Sequence, residues 1–310
     1  MAADGGLALR LPYLAIPLDW ETTAAYLAAH AIPGVESVAN DTCRRTVVVG
    51  SDVGVLELCP GGRDQLVLRA HLPHWEELVH VVRRARRIAS LDFDVSEPAR
   101  HLLTDRVIGP LLRARPGLRP PGTWDPFETG VHAIAGQDAT RHTANSITGR
   151  LVERLGRPVS GLRQFGLTHA FPAARTLADA DLGGLGLSAA GAGAVRSFAH
   201  AVGDRSLRLD RSLGLDRLVS PLRAIDGVSH DTAHYLALRL GEPDAFPATD
   251  RDPPPAVVPS RAGFAAKPVG HSAEHWRPWR ATGRHPPVGR RRQGQTRPLA
   301  AGGWGAGATA

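Results

Sequence analysis

The chain has almost no sulfur chemistry to offer and almost no lysine. Cys43 and Cys59 are its only cysteines in 310 residues, and Lys267 is its only lysine. Two thiols build neither a disulfide framework nor a multi-cysteine metal cluster, so a reducing cytoplasm is the expected location and no iron–sulfur centre is expected. The 14 histidines are scattered without ligand spacing, which argues against a catalytic metal. No apolar run approaches the length of a membrane span. Met1 to Gly6 has neither the basic start nor the apolar core of a signal peptide. No fixed-period repeat is present.

The composition, with 43% hydrophobic residues, suits a globular protein of two ordinary domains. The net charge of +7 is concentrated at one end. Residues 251–310 hold nine Arg and one Lys against Asp252 and Glu274, so of the 37 basic and 30 acidic residues, 27 and 28 remain for the first 250. The overall basicity is therefore a weak argument for a nucleic-acid partner.

Residues 1–95 read as an α/β unit. Leu7–Leu11 alternates as a strand does, Asp19–Ala31 reads as a helix, and four β-rich runs follow: Val35–Ala39, Thr42–Val49, Gly54–Cys59 and Gln65–Leu72. Trp75–Ile88 returns to helical spacing. That order predicts an antiparallel sheet with helices on one face; Leu18, Trp20, Ala24, Tyr26, Leu27 and Ala31 are read as the apolar side of the first helix, and Trp20 and Trp75 as core. From Ser96 the pattern is helical throughout, up to residue 250, with Asp125 placed to cap a helix that begins at Pro126. The fold class expected is α+β: a sheet domain at 1–95, an all-helical core at 96–250 and an irregular tail at 251–310. The tail holds nine Pro and nine Gly and has helical character only in an island at 274–281.

The most informative stretch is Ile225-Asp226-Gly227-Val228-Ser229-His230-Asp231-Thr232-Ala233, followed by Asp250. It reads as helix, tight glycine turn, helix, and then a carboxylate. Outward-pointing N–H groups of such a turn can grip a DNA phosphate, and a carboxylate held nearby can act on the adjoining nucleotide. On residues alone, Gly227 is equally a plain turn glycine, Tyr235 half-buried core, Gln137 a polar helix end and Asp250 a loop or capping aspartate.

Six segments in order carry a resemblance: Ala114–Gly122, Asp125–Glu128, Val131–Gln137, Thr232–Arg239, Asp244–Asp250 and Trp276–Arg280. Together they are similar to the AlkA-type DNA-3-methyladenine glycosylases of the helix-hairpin-helix–GPD superfamily. The resemblance implies a monomeric base-excision repair hydrolase. Such an enzyme would act on duplex DNA with alkylated bases, rotate the damaged nucleotide out of the stack and hydrolyse its N-glycosidic bond. It implies Asp250 as the catalytic carboxylate. Gly227, Val228, Ser229 and Thr232 become the DNA-binding hairpin, Tyr235 a wall of the base pocket, and Gln137 with Asp138 the loop that fills the gap. Asp231 stands where bifunctional relatives carry a nucleophilic lysine, so hydrolysis without a lyase step is implied. No cofactor and no obligate protein partner are implied, beyond an alkali ion at the hairpin carbonyls.

Several residues depart from the family pattern. Asp226 and Ser229 replace the proline and second glycine of the hairpin, and Gly191 and Gly193 each cost about 1 kcal/mol in a helix. Asp226 and Asp231 add carboxylates that weaken contact with a phosphate, and Asp138 stands where the family often has an apolar or amide wedge; a catalytically impaired or inactive DNA-binding relative is the alternative reading. The Pro/Arg/Gly-rich stretches on either side of the island are expected products of a shifted reading frame in a GC-rich coding sequence. An uninterrupted frame through codons 250–310, read by resequencing, removes that explanation.

Overall fold

The computed structural model describes residues 6–13, 17–106, 108–247 and 273–283. Asp250, Lys267 and the stretches assigned to a shifted frame lie outside the described residues. Five strands form one antiparallel sheet in the order β1-β5-β4-β3-β2: β1 (Leu7–Pro12), β2 (Glu36–Ala39), β3 (Thr42–Val49), β4 (Asp52–Pro60) and β5 (Gln65–His71). Asn40 and Asp41, with φ of 51° and 57°, close the two-residue turn between the paired Ala39 and Thr42; both central residues of such a turn need positive φ, which Asn and Asp tolerate best after Gly. Alternation sets which face is buried. Val47 and Val49 are each 2% exposed while Val48 between them is 51% exposed. Helices α1 (Trp20–Ala29) and α2 (Leu78–Ile88) contribute Trp20, Ala24, Val81, Ala85 and Ile88 to the sheet's core.

The expected helices follow: α3 (Ser96–Leu102), α4 (Gly109–Ala114), α5 (Pro126–Ala135), α6 (Arg141–Leu155), α7 (Ala174–Ala178), α8 (Ala189–Gly203), α9 (Leu215–Arg223) and α10 (His230–Leu240). Asp125 caps α5 as its sequence position suggested, accepting from the Phe127 N–H at 2.8 Å. Most of the large core cluster comes from these helices, but it also takes in Ile32 and Val35 from the loop between α1 and β2.

Two expectations need correction. Strands do not end at Ser96: β6 (Arg157–Pro158) and β7 (His169–Ala170) pair antiparallel. Two residues are too short for any alternation to register in sequence. The pair is fixed from outside, because Thr168 and His169 both donate to the Gly34 carbonyl, at 2.8 and 3.0 Å. Trp75 is not core. The helix starts three residues later, at Leu78, and leaves Trp75 41% exposed.

A buried charge cluster joins sheet to helices. Arg45 of β3, 3% exposed, reaches Glu36 and Glu128 of α5, each at 2.6 Å, and lies 4.9 Å from the centre of the Trp124 ring. Burial pushes the Glu128 carboxyl up to about 7 against the pull of Arg45. The island at the C-terminal side also docks. A 3-10 turn (Ala273–Trp276) and α11 (Arg280–Gly283) bring Trp276, 2% exposed, into a cluster with Leu102, Ile108 and Phe246, and its indole N–H donates to Asp105 at 2.9 Å.

Candidate functional site

Helices α9 and α10 pack against each other because each buries one face, Leu218, Val219 and Leu222 on the first and Thr232, Ala233, Leu236 and Ala237 on the second. The bend between them is tight: the Val228 N–H donates to the Ile225 carbonyl at 3.1 Å. Gly227 has φ +80°, and a Cβ there would sit 3.0 Å from the Ala194 Cβ and 3.4 Å from the Ala190 carbonyl of α8. Glycine is thus required twice, for left-handed backbone and for close approach. Gly227→Ala is expected to cost about 1–2 kcal/mol from the backbone alone, read as a lower urea midpoint with an unchanged slope. An unaltered midpoint would show that the bend relaxes freely.

Ser229 needs no glycine. Its φ is −73° and ψ 158°, and its hydroxyl caps α10 by accepting from the Thr232 N–H at 3.1 Å. The departure from the family pattern at this position therefore costs no strain. Val228 is buried, so it anchors the bend rather than presenting a side chain outward.

Gln137, just beyond α5, ties this bend to the helical core. Its amide nitrogen donates to the Gly227 carbonyl at 2.5 Å. Its amide oxygen accepts from the Ser229 N–H and from the Thr232 hydroxyl, both at 3.3 Å. Gln137, Gly227, Ser229 and Thr232 thus form one bonded unit, with Asp138 exposed beside it and Asp226 exposed on the bend.

Tyr235 lies one helical turn beyond Asp231 on α10 and is half-buried. Its hydroxyl is 3.3 Å from that of Tyr26 on α1. Arg239, 7% exposed, donates to Tyr235 at 2.8 Å and Tyr26 at 3.3 Å. Its other nitrogens reach the Gly122 carbonyl at 2.7 Å and the Pro121 carbonyl at 3.1 Å. One guanidinium thus orients two tyrosines brought from the sheet unit and the hairpin. The His30 ring stacks on Tyr26 at 4.0 Å. Beside this group a recess with about 560 Å³ of empty space, mouth included, runs along the seam and is lined by Leu27, His30, Trp124, Glu128, His132 and Arg239 among others.

Neither Tyr26 nor Arg239 was marked as a site residue by sequence. Tyr26 reads as one more apolar position of α1, and Arg239 only ends the Thr232–Arg239 segment. An arginine set between Leu238 and Leu240 in an apolar run was the one available signal.

The segment leaving α10 toward Asp250 is firmly held as far as Pro247, the last described residue before it. The Asp244 carboxylate takes Arg280 at 2.7 and 3.0 Å and also pairs with Arg277. Phe246 meets Trp276 edge-on at 6.2 Å. His234 receives the Phe246 N–H at 3.4 Å, and burial, with His230 and Arg280 nearby, holds its imidazole at about 4. Near neutral pH it is an uncharged acceptor. Among the described residues no group of three or more His, Cys, Asp or Glu could hold a metal ion, and no helix is long and apolar enough to cross a membrane.

Comparison with known proteins agrees with this architecture. Residues 8–125 match the AlkA N-terminal domain. A protein of Mycobacterium tuberculosis described as a probable bifunctional transcriptional activator/DNA repair enzyme AlkA is 35% identical over 284 residues, 90% of this chain. The chain spans only 56% of that relative's length. DNA-3-methyladenine glycosylase 2 of Escherichia coli is 29% identical over 86% of this chain and 91% of its own. The solved 3-methyladenine DNA-glycosylase of Archaeoglobus fulgidus shares the fold, with a TM-score of 0.65 and 21% identity over 78% of this chain and 82% of its own. Residues 8–125 thus carry an AlkA N-terminal domain, and the chain shares its fold with a solved glycosylase.

Proposed function

We propose that the chain is a monofunctional DNA glycosylase that hydrolyses the N-glycosidic bond of alkylated, 3-methyladenine-type bases in duplex DNA, in the cytoplasm and without a protein partner. The observation that carries this reading is the bonded unit of Gln137 with the Gly227 bend, which leads directly into the helix bearing Tyr235. The bend would seat a phosphate next to the lesion, at the start of α10 where helix N–H groups converge. The extruded base would meet the ring of Tyr235. An N-alkylated purine already carries positive charge, so it leaves without being protonated and is attracted to aromatic faces. The sugar left behind is oxocarbenium-like, and the carboxylate of Asp250 would stabilise it and orient water.

The absence of a lyase step belongs to the same reading. Asp231 cannot form a Schiff base, and Lys267 is the only lysine. So does an alkali ion at the bend. The Ile225 and Gly227 carbonyls each accept one protein hydrogen bond and keep a second lone pair, a neutral oxygen set suited to a weakly held monovalent cation.

The test is to incubate the purified full chain with methylated duplex DNA and measure free 3-methylpurine. Release supports the proposal. Duplex binding without release favours the second reading, a non-cutting relative.

A further inference from the structure

The hydrogen bonds of Gln137 decide what its side chain can do. A primary amide has one oxygen with two lone pairs and one nitrogen with two hydrogens. The Ser229 N–H can only donate and the Gly227 carbonyl can only accept, so the two ends of the amide are assigned without ambiguity. The oxygen takes the Ser229 N–H and the Thr232 hydroxyl, both at 3.3 Å, which occupies both lone pairs. The nitrogen gives one hydrogen to the Gly227 carbonyl at 2.5 Å. Entering a gap in a duplex would break all three bonds at once, and the bend would lose every tie this side chain provides.

The backbone beneath the side chain is held as well. The Gln137 N–H donates to the Ile134 carbonyl at 3.2 Å, and the Ala139 N–H closes the turn onto the Gly136 carbonyl at 3.1 Å. A Cβ on Gly136 would stand 2.5 Å from the Ala144 Cβ of α6, so α5 and α6 touch at this point and the turn has no slack. Thr140 then caps α6 by accepting from the Thr143 N–H at 3.3 Å. Gln137 therefore rides on the end of α5, and α5 is itself held to the sheet through Glu128 and Arg45. We propose that Gln137 is a positioning residue for the DNA backbone: it sets the Gly227–Ser229 bend against α5, and it is not the side chain that fills the gap behind an extruded base. The inference rests on the reading of the bend as the DNA contact of a glycosylase.

The two roles separate in single-turnover release from methylated duplex at rising concentrations of the full chain, with affinity for undamaged duplex measured alongside. Undamaged duplex has no gap, so a gap filler leaves that affinity alone. Gln137→Ala and Gln137→Met are each expected to weaken it about 10-fold. Both are expected to raise the half-saturating concentration in release by a similar factor and to leave the plateau rate close to that of the unaltered chain. Methionine matches glutamine in length, so it would serve in a gap, but it makes none of the three bonds and should fail at the bend as alanine does. Thr232→Val, isosteric at a residue 2% exposed, removes one of the bonds and is expected to weaken the affinity about 3-fold; it carries the test if the Gln137 variants do not fold. An unaltered affinity for undamaged duplex in the folded variants, or a plateau rate that falls with alanine and recovers with methionine, overturns the proposal. Base release by the unaltered chain is read separately. Binding without release removes the glycosylase reading and still tests Gln137 through affinity, whereas a chain that binds no duplex rejects both.

Discussion

Asp250→Asn is expected to lower the rate of 3-methylpurine release about 10²- to 10³-fold without lowering affinity for undamaged duplex. The substitution is nearly isosteric and removes one negative charge. The leaving base of an alkylated purine needs no proton, so the protein's contribution falls chiefly on the positive charge that develops in the sugar. A neutral amide offers that charge only a dipole. Single-turnover release from methylated duplex, with binding followed in parallel, checks the expectation. Release as fast as in the unaltered chain would remove Asp250 from the mechanism. Equal losses of release and of binding would assign it to the DNA contact instead.

Arg239→Met is expected to be the most damaging single change at the seam. The guanidinium serves two tyrosine hydroxyls and two backbone carbonyls, and methionine fills its volume while leaving the Pro121 and Gly122 carbonyls without their donor and removing one donor from each hydroxyl. Each buried acceptor so stranded costs about 1–3 kcal/mol, so a total loss of about 3 kcal/mol or more is expected in urea unfolding. Base release is expected to fall by about 10²-fold beyond what the unfolded fraction explains, because the two rings lose their common anchor. Arg239→Lys should recover part of the stability and little of the release, since an ammonium cannot reproduce the planar fork. Full recovery of release by lysine would mean that charge alone, and not the orientation of Tyr26 and Tyr235, is what the residue provides.

What was legible in the sequence is what local chemistry specifies. The bounds of β3, α5 and α10 coincide with their sequence signals, because alternation, the Asp125-Pro126 cap and the glycine bend before His230 act within a few residues. The hairpin was readable for the same reason, and with it the resemblance. What escaped is what depends on distant partners. Tyr26 and Tyr235 are 209 residues apart in the chain, and nothing in the periodicity of α1 separates a tyrosine that meets a hairpin from one that packs on a sheet. Gln137 could be placed near a gap-filling loop by resemblance, but its three bonds to the bend come from tertiary geometry. The β6–β7 pair forms because Gly34, far upstream, holds it in place. Trp75 failed as a core residue because helical spacing continues back past Leu78, where the helix begins.

The burial of Ile32 and Val35 in the helical cluster bears on any attempt to divide the molecule. Both residues come from the sheet half, yet they act as a cork in the other half. A fragment starting after residue 95 would lose that cork and leave Glu128 without its arginine, exposing a greasy socket beside an orphaned acid. The two halves are bookends that stand only as a pair, and a cut at their sequence boundary does not yield a free-standing helical piece.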